Sequence, residues 1–359
     1  MTKLFACERV LPLLAILLAL LLAPFAYAAG TEDAKGGGAK EQAQRQLSQP
    51  GNNAPMWRDV REGANPYQTT QVRGVETNIL VQPGGQEWRQ LRPPIALAGG
   101  LLIVVALLAV FAFYSWRGPI GVHDQPTGKL LKRFSDAERL THWTVAISVC
   151  ILAITGLIIS FGKYILLPLI GYTLFSWLAI LAKNLHNFVA PVFICGLPVM
   201  IVLFIRDNFP EAGDLKWMLD FGGLFSKTKG ETPSGRFNLG EKVLFWLMVC
   251  LLGVALCISG AVMLFPNFAQ GRALMQLANI VHIAGAMVMI FLASFHIYLG
   301  TIGTKGAYEG MRTGYVDETW AKEHHQRWYE EVKAGKAREQ FADDAPAEVR
   351  SQVAQGLKA

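Results

Sequence analysis

The chain has 359 residues, of which 52% are hydrophobic, a positive mean hydropathy and a formal net charge of +6. Its apolar residues gather in a few long blocks with the basic residues between them, which is membrane composition and leaves no face able to track phosphates, so nucleic acid is not a partner. Five cysteines, Cys7, Cys150, Cys195, Cys250 and Cys257, form no C-x-x-C pair and no C-x-x-C-H, so they read as packing residues and nothing in the chain can attach a haem covalently.

Taken in chain order, residues 1–28 read as a secretory signal peptide, the competing reading being an uncleaved span, for which the apolar run falls short of the ~20 residues a spanning helix needs. Lys3 and Arg9 precede an apolar run from Val10 to Phe25, and Ala26-Tyr27-Ala28 supplies a small-x-small cleavage pattern. An extracytoplasmic linker and docking segment follows over 29–92. It is Gly-, Ala- and Gln-rich as far as about residue 55; Trp57, Tyr67, Val72, Val75 and Trp88 then return among Gly and Pro, suggesting one or two short strands. An additional transmembrane helix is expected over 93–116, then a cytoplasmic linker over 117–140, a four-helix core over 141–305 and a cytoplasmic tail over 306–359. The core spans are placed near 141–161, 184–205, 243–264 and 277–300. Tyr164 to Leu181 is also apolar, but Pro168, Gly171, Tyr172 and Trp177 favour a segment along the membrane surface.

Orientation follows from the basic residues. Segments 117–140 and 206–242 carry five and six Lys or Arg and the tail after residue 300 carries nine, against two in 162–183 and one in 265–276. The rich segments are expected in the cytoplasm, in agreement with an exported N-terminus.

Each histidine then acquires a depth. His142 and His296 fall near the cytoplasmic side, His186 and His282 near the periplasmic side, one pair per leaflet. His282 and His296 are 14 residues apart, which returns to within about 40° of one helix face and separates them by ~21 Å. One helix stripe can thus serve two stacked haems, each held between two neutral imidazoles that leave the iron no open position and favour electron transfer over oxygen chemistry. Histidine in hydrocarbon is expensive unless bound. Gly156, Gly196, Gly253, Gly260 and Gly285 would admit a flat macrocycle or a neighbouring backbone. His123, His324 and His325 fall in the linker and tail and are expected to be solvated. A proton-coupled transporter, the alternative of another class, predicts Asp or Glu inside the core spans, and none is present. Zinc lacks its tight ligand spacing. The fold class expected is all-α integral membrane: a four-helix transmembrane di-haem bundle plus one extra N-terminal transmembrane helix.

The stretches Arg139-Leu140-Thr141-His142-Trp143-Thr144, Asn184-Leu185-His186, Ile280-Val281-His282 and His296-Ile297-Tyr298 resemble the cytochrome b (gamma) subunit of membrane-bound respiratory formate dehydrogenases. The tail Lys322-Glu323-His324-His325-Gln326-Arg327-Trp328-Tyr329 is similar to that family too, and the likeness runs from about residue 130 to 332. Cytochromes of hydrogenases and of thiosulfate or polysulfide reductases share the four-helix plan. The resemblance implies two haem b groups, the periplasmic one on His186 and His282 and the cytoplasmic one on His142 and His296. It implies a quinone acceptor near Asn238-Leu239-Gly240, where the bland reading is a helix-capping turn. It further implies an iron–sulfur (beta) subunit, a molybdenum or tungsten catalytic (alpha) subunit that oxidises formate, and a place in the bacterial inner membrane. Residues 29–92 would face those partners.

Overall fold

The computed structural model describes residues 84–223, 232–268 and 270–358; the signal peptide and nearly all of the docking segment lie outside the described residues. Among the described residues, five helices are long and apolar enough to cross a membrane. The first, α1, is Gly85–Arg117. It starts eight residues ahead of the expected span and takes in Trp88, which had been assigned to a strand. The Pro93–Pro94 pair marks the edge of the apolar run, but Glu87, Arg89, Gln90, Leu91 and Arg92 are good helix formers that carry the helix outward from it.

Helix α2 is Asp136–Ile165, opened by Asp136 and Glu138 in its first turn, where carboxylates complement the helix dipole. Helix α3, Leu167–Phe204, is broken once, at Gly171, whose φ of 76° lies in the left-handed region. Beyond that break the backbone is helical from Tyr172 onward, so the stretch expected as a separate surface segment is the leading part of the helix that carries His186, which does not begin near 184. The proline and glycine signals were real, but they are met by a single break.

A short helix, α4 (Asp214–Leu219), precedes the fourth span. Helix α5, Leu239–Leu264, starts at Asn238 and widens its turns over Phe245–Gly253. Helix α6, Arg272–Tyr298, continues to Gly303.

The described residues divide into two compact units, Gly156–Lys183 with residues 84–89, and Gln90–Thr155 with the described residues from Asn184 onward. Within the first, Gly162 lets the Phe175 ring lie against the α2 backbone; a Cβ there would meet Phe175 Cε2 at 2.8 Å. Within the second, Val145, Phe193 and Leu197 form a buried cluster that joins α2, α3 and α5.

The linker and tail fold together. Strand β1 (Leu130–Lys132) pairs antiparallel with β2 (Tyr315–Asp317), Leu131 opposite Val316. Helices α7 (Ala307–Thr313), α8 (Glu318–His324), α9 (Gln326–Lys333) and α10 (Ala347–Lys358) complete a cap. Its core is Leu131, Val316, Trp320, Ala321, Trp328, Val332 and Leu357. The expectation of solvated His324 and His325 is therefore corrected, since they are 4% and 2% exposed. His123 is exposed and bonds Glu323.

Candidate haem sites in the bundle

The structure brings the four intramembrane histidines together as two pairs. His142 of α2 faces His296 of α6, ring centroids 6.1 Å apart and planes at 63°. His186 of α3 faces His282 of α6 at 6.2 Å and 70°. Metal–imidazole bonds of ~2.0 Å on both sides of one metal, with ~1.1 Å from each nitrogen to its ring centroid, put two such rings about 6.2 Å apart. Both pairs meet that spacing. Among the described residues no cluster of three or more His, Cys, Asp or Glu is placed to hold a metal. Two protein ligands and no third suit an iron whose other four donors come from a planar macrocycle.

The second shell differs between the pairs. Thr155 Oγ1 donates to the Ile151 carbonyl at 2.7 Å and lies 2.8 Å from His186 Nδ1. Ser259 Oγ donates to the Ala255 carbonyl at 2.7 Å and lies 3.0 Å from His282 Nδ1. Each hydroxyl has one proton, already placed on a carbonyl four residues back, so it offers the histidine a lone pair and Nδ1 must be the protonated nitrogen. Nε2 is left as the ligating atom. By contrast His142 Nδ1 is buried and has no acceptor among the described residues.

Of the glycines flagged in the spans, Gly260 lies against a candidate ligand; a Cβ there would meet His282 Cε1 at 3.2 Å. Gly196 and Gly253 are instead points of helix approach, at Val145 and Leu197.

The cap sits on the His142 end of α2. Trp143 Nε1 donates to the Met311 carbonyl, and the Trp143 ring meets Tyr308. Beneath it lies an ionic cluster. Arg236 pairs with Glu138 at 2.9 Å, with Glu339 at 3.0 Å and with Asp207, and Arg338 reaches the same three carboxylates. The Arg133 and Arg236 guanidinium groups stand over the Phe134 and Phe237 rings. Arg133 also donates to His325 Nε2 at 3.0 Å, while His325 Nδ1 donates to the Gly235 carbonyl at 2.9 Å. That is the neutral tautomer, and burial first, then the Arg133 charge, hold the His325 pKa well below its ordinary value.

Asn238 makes the cap of α5. Its Oδ1 accepts from the Glu241 N–H at 3.0 Å, and the Glu241 carboxylate accepts from the Asn238 N–H at 2.8 Å. Gly240 is covered by Trp217, whose Cη2 would lie 2.9 Å from a Cβ at that position. The Trp217 indole N–H is buried with no acceptor among the described residues. Sequence reading missed Trp217, Thr155 and Ser259. A Thr-Gly and a Ser-Gly at matched positions of two spans, Thr155-Gly156 and Ser259-Gly260, were the only signal available for the hydroxyls.

Comparison with known proteins accounts for this arrangement. The family model for prokaryotic cytochrome b561 matches residues 133–314, which include all four histidines. The chain belongs to the prokaryotic cytochrome b561 family. Its relatives include the cytochrome b556(fdo) subunit of an Escherichia coli formate dehydrogenase, 31% identical over 210 residues, 56% of this chain and 92% of the relative. The nitrate-inducible cytochrome b556(Fdn) subunit from the same organism is 27% identical over 221 residues, 59% of this chain and 96% of the relative. A Haemophilus influenzae formate dehydrogenase cytochrome b556 subunit is 27% identical over 229 residues, 60% and 90%. Each of these matches takes in at least 90% of the relative and 60% or less of this chain.

Proposed function

We propose that this cytochrome is the di-haem b subunit of a formate dehydrogenase complex, anchoring it in the inner membrane and passing electrons from an iron–sulfur subunit to quinone. Formate oxidation itself belongs to a molybdenum or tungsten subunit. The observation that carries the reading is the pair of facing imidazoles at each end of the bundle, both at a separation that would let the two rings hold one haem iron between them. When bound, haem supplies a one-electron couple within the hydrocarbon layer.

The chain's own residues do the rest. His186 and His282 would hold one haem, with Thr155 and Ser259 fixing their tautomers; His142 and His296 would hold the other. Helix α6 supplies one ligand to each site, ~21 Å apart along its axis, so its rigidity sets the distance electrons cross. The basic residues of the cap segments support a cytoplasmic cap end and, with it, a periplasmic mature N-terminus. The quinone would be taken near Asn238 and Gly240 at the cap end, beside the Trp217 ring that covers Gly240. Residues 29–92 would dock the partner subunits. Charge separated this way is worth ~2.3 kcal/mol per charge per 100 mV.

The deciding measurement is haem content by reduced-minus-oxidised spectroscopy on the purified membrane protein. Two b haems are expected in the wild type and one each in His282→Ala and His296→Ala. A colourless wild type, or both haems kept when both histidines are replaced, would refute the proposal. Quinol formation that depends on formate, and not on hydrogen or a sulfur compound, assigns the donor.

A further inference from the structure

Thr155 and Ser259 do the same thing from two different helices. Each hydroxyl bonds its own helix four residues back at 2.7 Å, and each turns a lone pair on the Nδ1 of one ring of the same histidine pair, at 2.8 and 3.0 Å. Both are almost fully buried, 4% exposed in each case, so water does not compete for these bonds. At the other end the comparable hydroxyls, Ser148 and Ser294, bond the carbonyls of Thr144 and Ile290. There His142 Nδ1 lacks an acceptor among the described residues.

An imidazole that donates Nδ1–H to a fixed acceptor becomes a more basic ligand through Nε2. Such a ligand favours ferric over ferrous iron and lowers the reduction potential of the haem it holds. We propose that Thr155 and Ser259 are positioning residues that make the haem at His186 and His282 the lower-potential one of the two, so that electrons run downhill along α6 toward the His142 and His296 end. The inference rests on the di-haem reading above. It adds to that reading a direction built into the protein, set by two hydroxyls that never touch the iron.

The test is a spectroscopic redox titration of the purified, haem-loaded full-length protein, resolved into two one-electron components. In Thr155→Val and Ser259→Ala the lower component should rise by about tenfold in its reduction equilibrium, 59 mV for one electron. The upper component should stay where it is. Thr155→Ser keeps the hydroxyl and should titrate with the wild type, which a purely space-filling role would not predict. If Thr155→Val fails to assemble, Ser259→Ala, which removes one oxygen and adds nothing, gives the same reading from the other ring of the pair. Two unmoved components, or movement of the upper one alone, would overturn the inference while leaving two haems in place. A wild type with fewer than two haems would instead remove the reading beneath it.

Discussion

Arg236 is the residue on which the cap depends most. It is 8% exposed, and its guanidinium pairs with Glu138, Asp207 and Glu339, which belong to α2, the turn after α3 and the cap. Arg236→Met keeps the stem and removes the charge, leaving Glu138 and Glu339, both nearly buried, without their main cation. Breaking a buried ion pair from one side typically costs 3–5 kcal/mol. Arg338 already contacts the same three carboxylates and would take up part of the loss. It is about half exposed, and pairs of that kind are worth only about 0.2–1 kcal/mol. The expected destabilisation of the cap is therefore about 3 kcal/mol for Arg236→Met and under about 1 kcal/mol for Arg338→Met. Because each arginine covers for the other, the double variant should lose more than the two singles added together. Hydrogen exchange of the amides in β1, β2 and α8, read by mass spectrometry in detergent or nanodiscs, measures the opening free energy directly. A loss below about 1 kcal/mol in Arg236→Met, or strict additivity in the double variant, would show that the cluster is solvated and that the cap is held by its apolar core alone.

Two further outcomes follow from the same end of the molecule. Asn238→Ala should destabilise the start of α5 by about 1 kcal/mol through loss of its cap, and Asn238→Ser should restore stability in thermal unfolding; quinol formation that stays low in the serine variant would assign the amide to the quinone, and recovery would leave it a cap alone. His325 is buried neutral with a depressed pKa, so below the unfolded-state value of about 6.5 the unfolded chain binds the proton more readily than the folded one and stability falls as pH falls. Above that pH the contribution is constant, and fluorescence of the adjacent Trp320 and Trp328 should report cap loosening on acidification in the wild type and a smaller change in His325→Gln.

The spans were legible because hydrocarbon imposes a length and a composition that few other environments demand, and all five emerge as helices. The histidine partners were legible for a related reason: with topology assigned from the basic loops, a position along a helix becomes a depth, and only residues at equal depth can meet. Helix ends were less legible. The apolar run tells where lipid begins, not where hydrogen bonding stops, so α1 reaches back to Gly85 and α3 to Tyr172. The cap was not legible at all. Its sequence is polar enough to read as a solvated tail, and His325 is buried against Arg133, Ser234 and Gly235, partners 192, 91 and 90 residues away in the chain. Thr155 and Ser259 were invisible for the opposite reason, since a lone hydroxyl in a spanning helix usually does no more than bond its own backbone, and only the fold reveals the second partner.

The cap and the hydroxyls bear on one question, which is how a bundle with the two proposed haem sites would make them unequal. A haem pocket built only from helices and apolar side chains has few ways to differ from its neighbour, because the hydrocarbon around both is the same. One end of this bundle differs by two internal lone pairs aimed at the candidate ligand rings; the other differs by a folded polar cap and by the ion pairs of Arg133, Arg236 and Lys242 at the helix ends. Fixed charge and fixed dipoles act strongly where water is excluded and cost no reorganisation when the electron arrives. The asymmetry therefore resides in groups the protein folds into place, and it should persist when lipid composition is changed while the two hydroxyls and the cap remain intact.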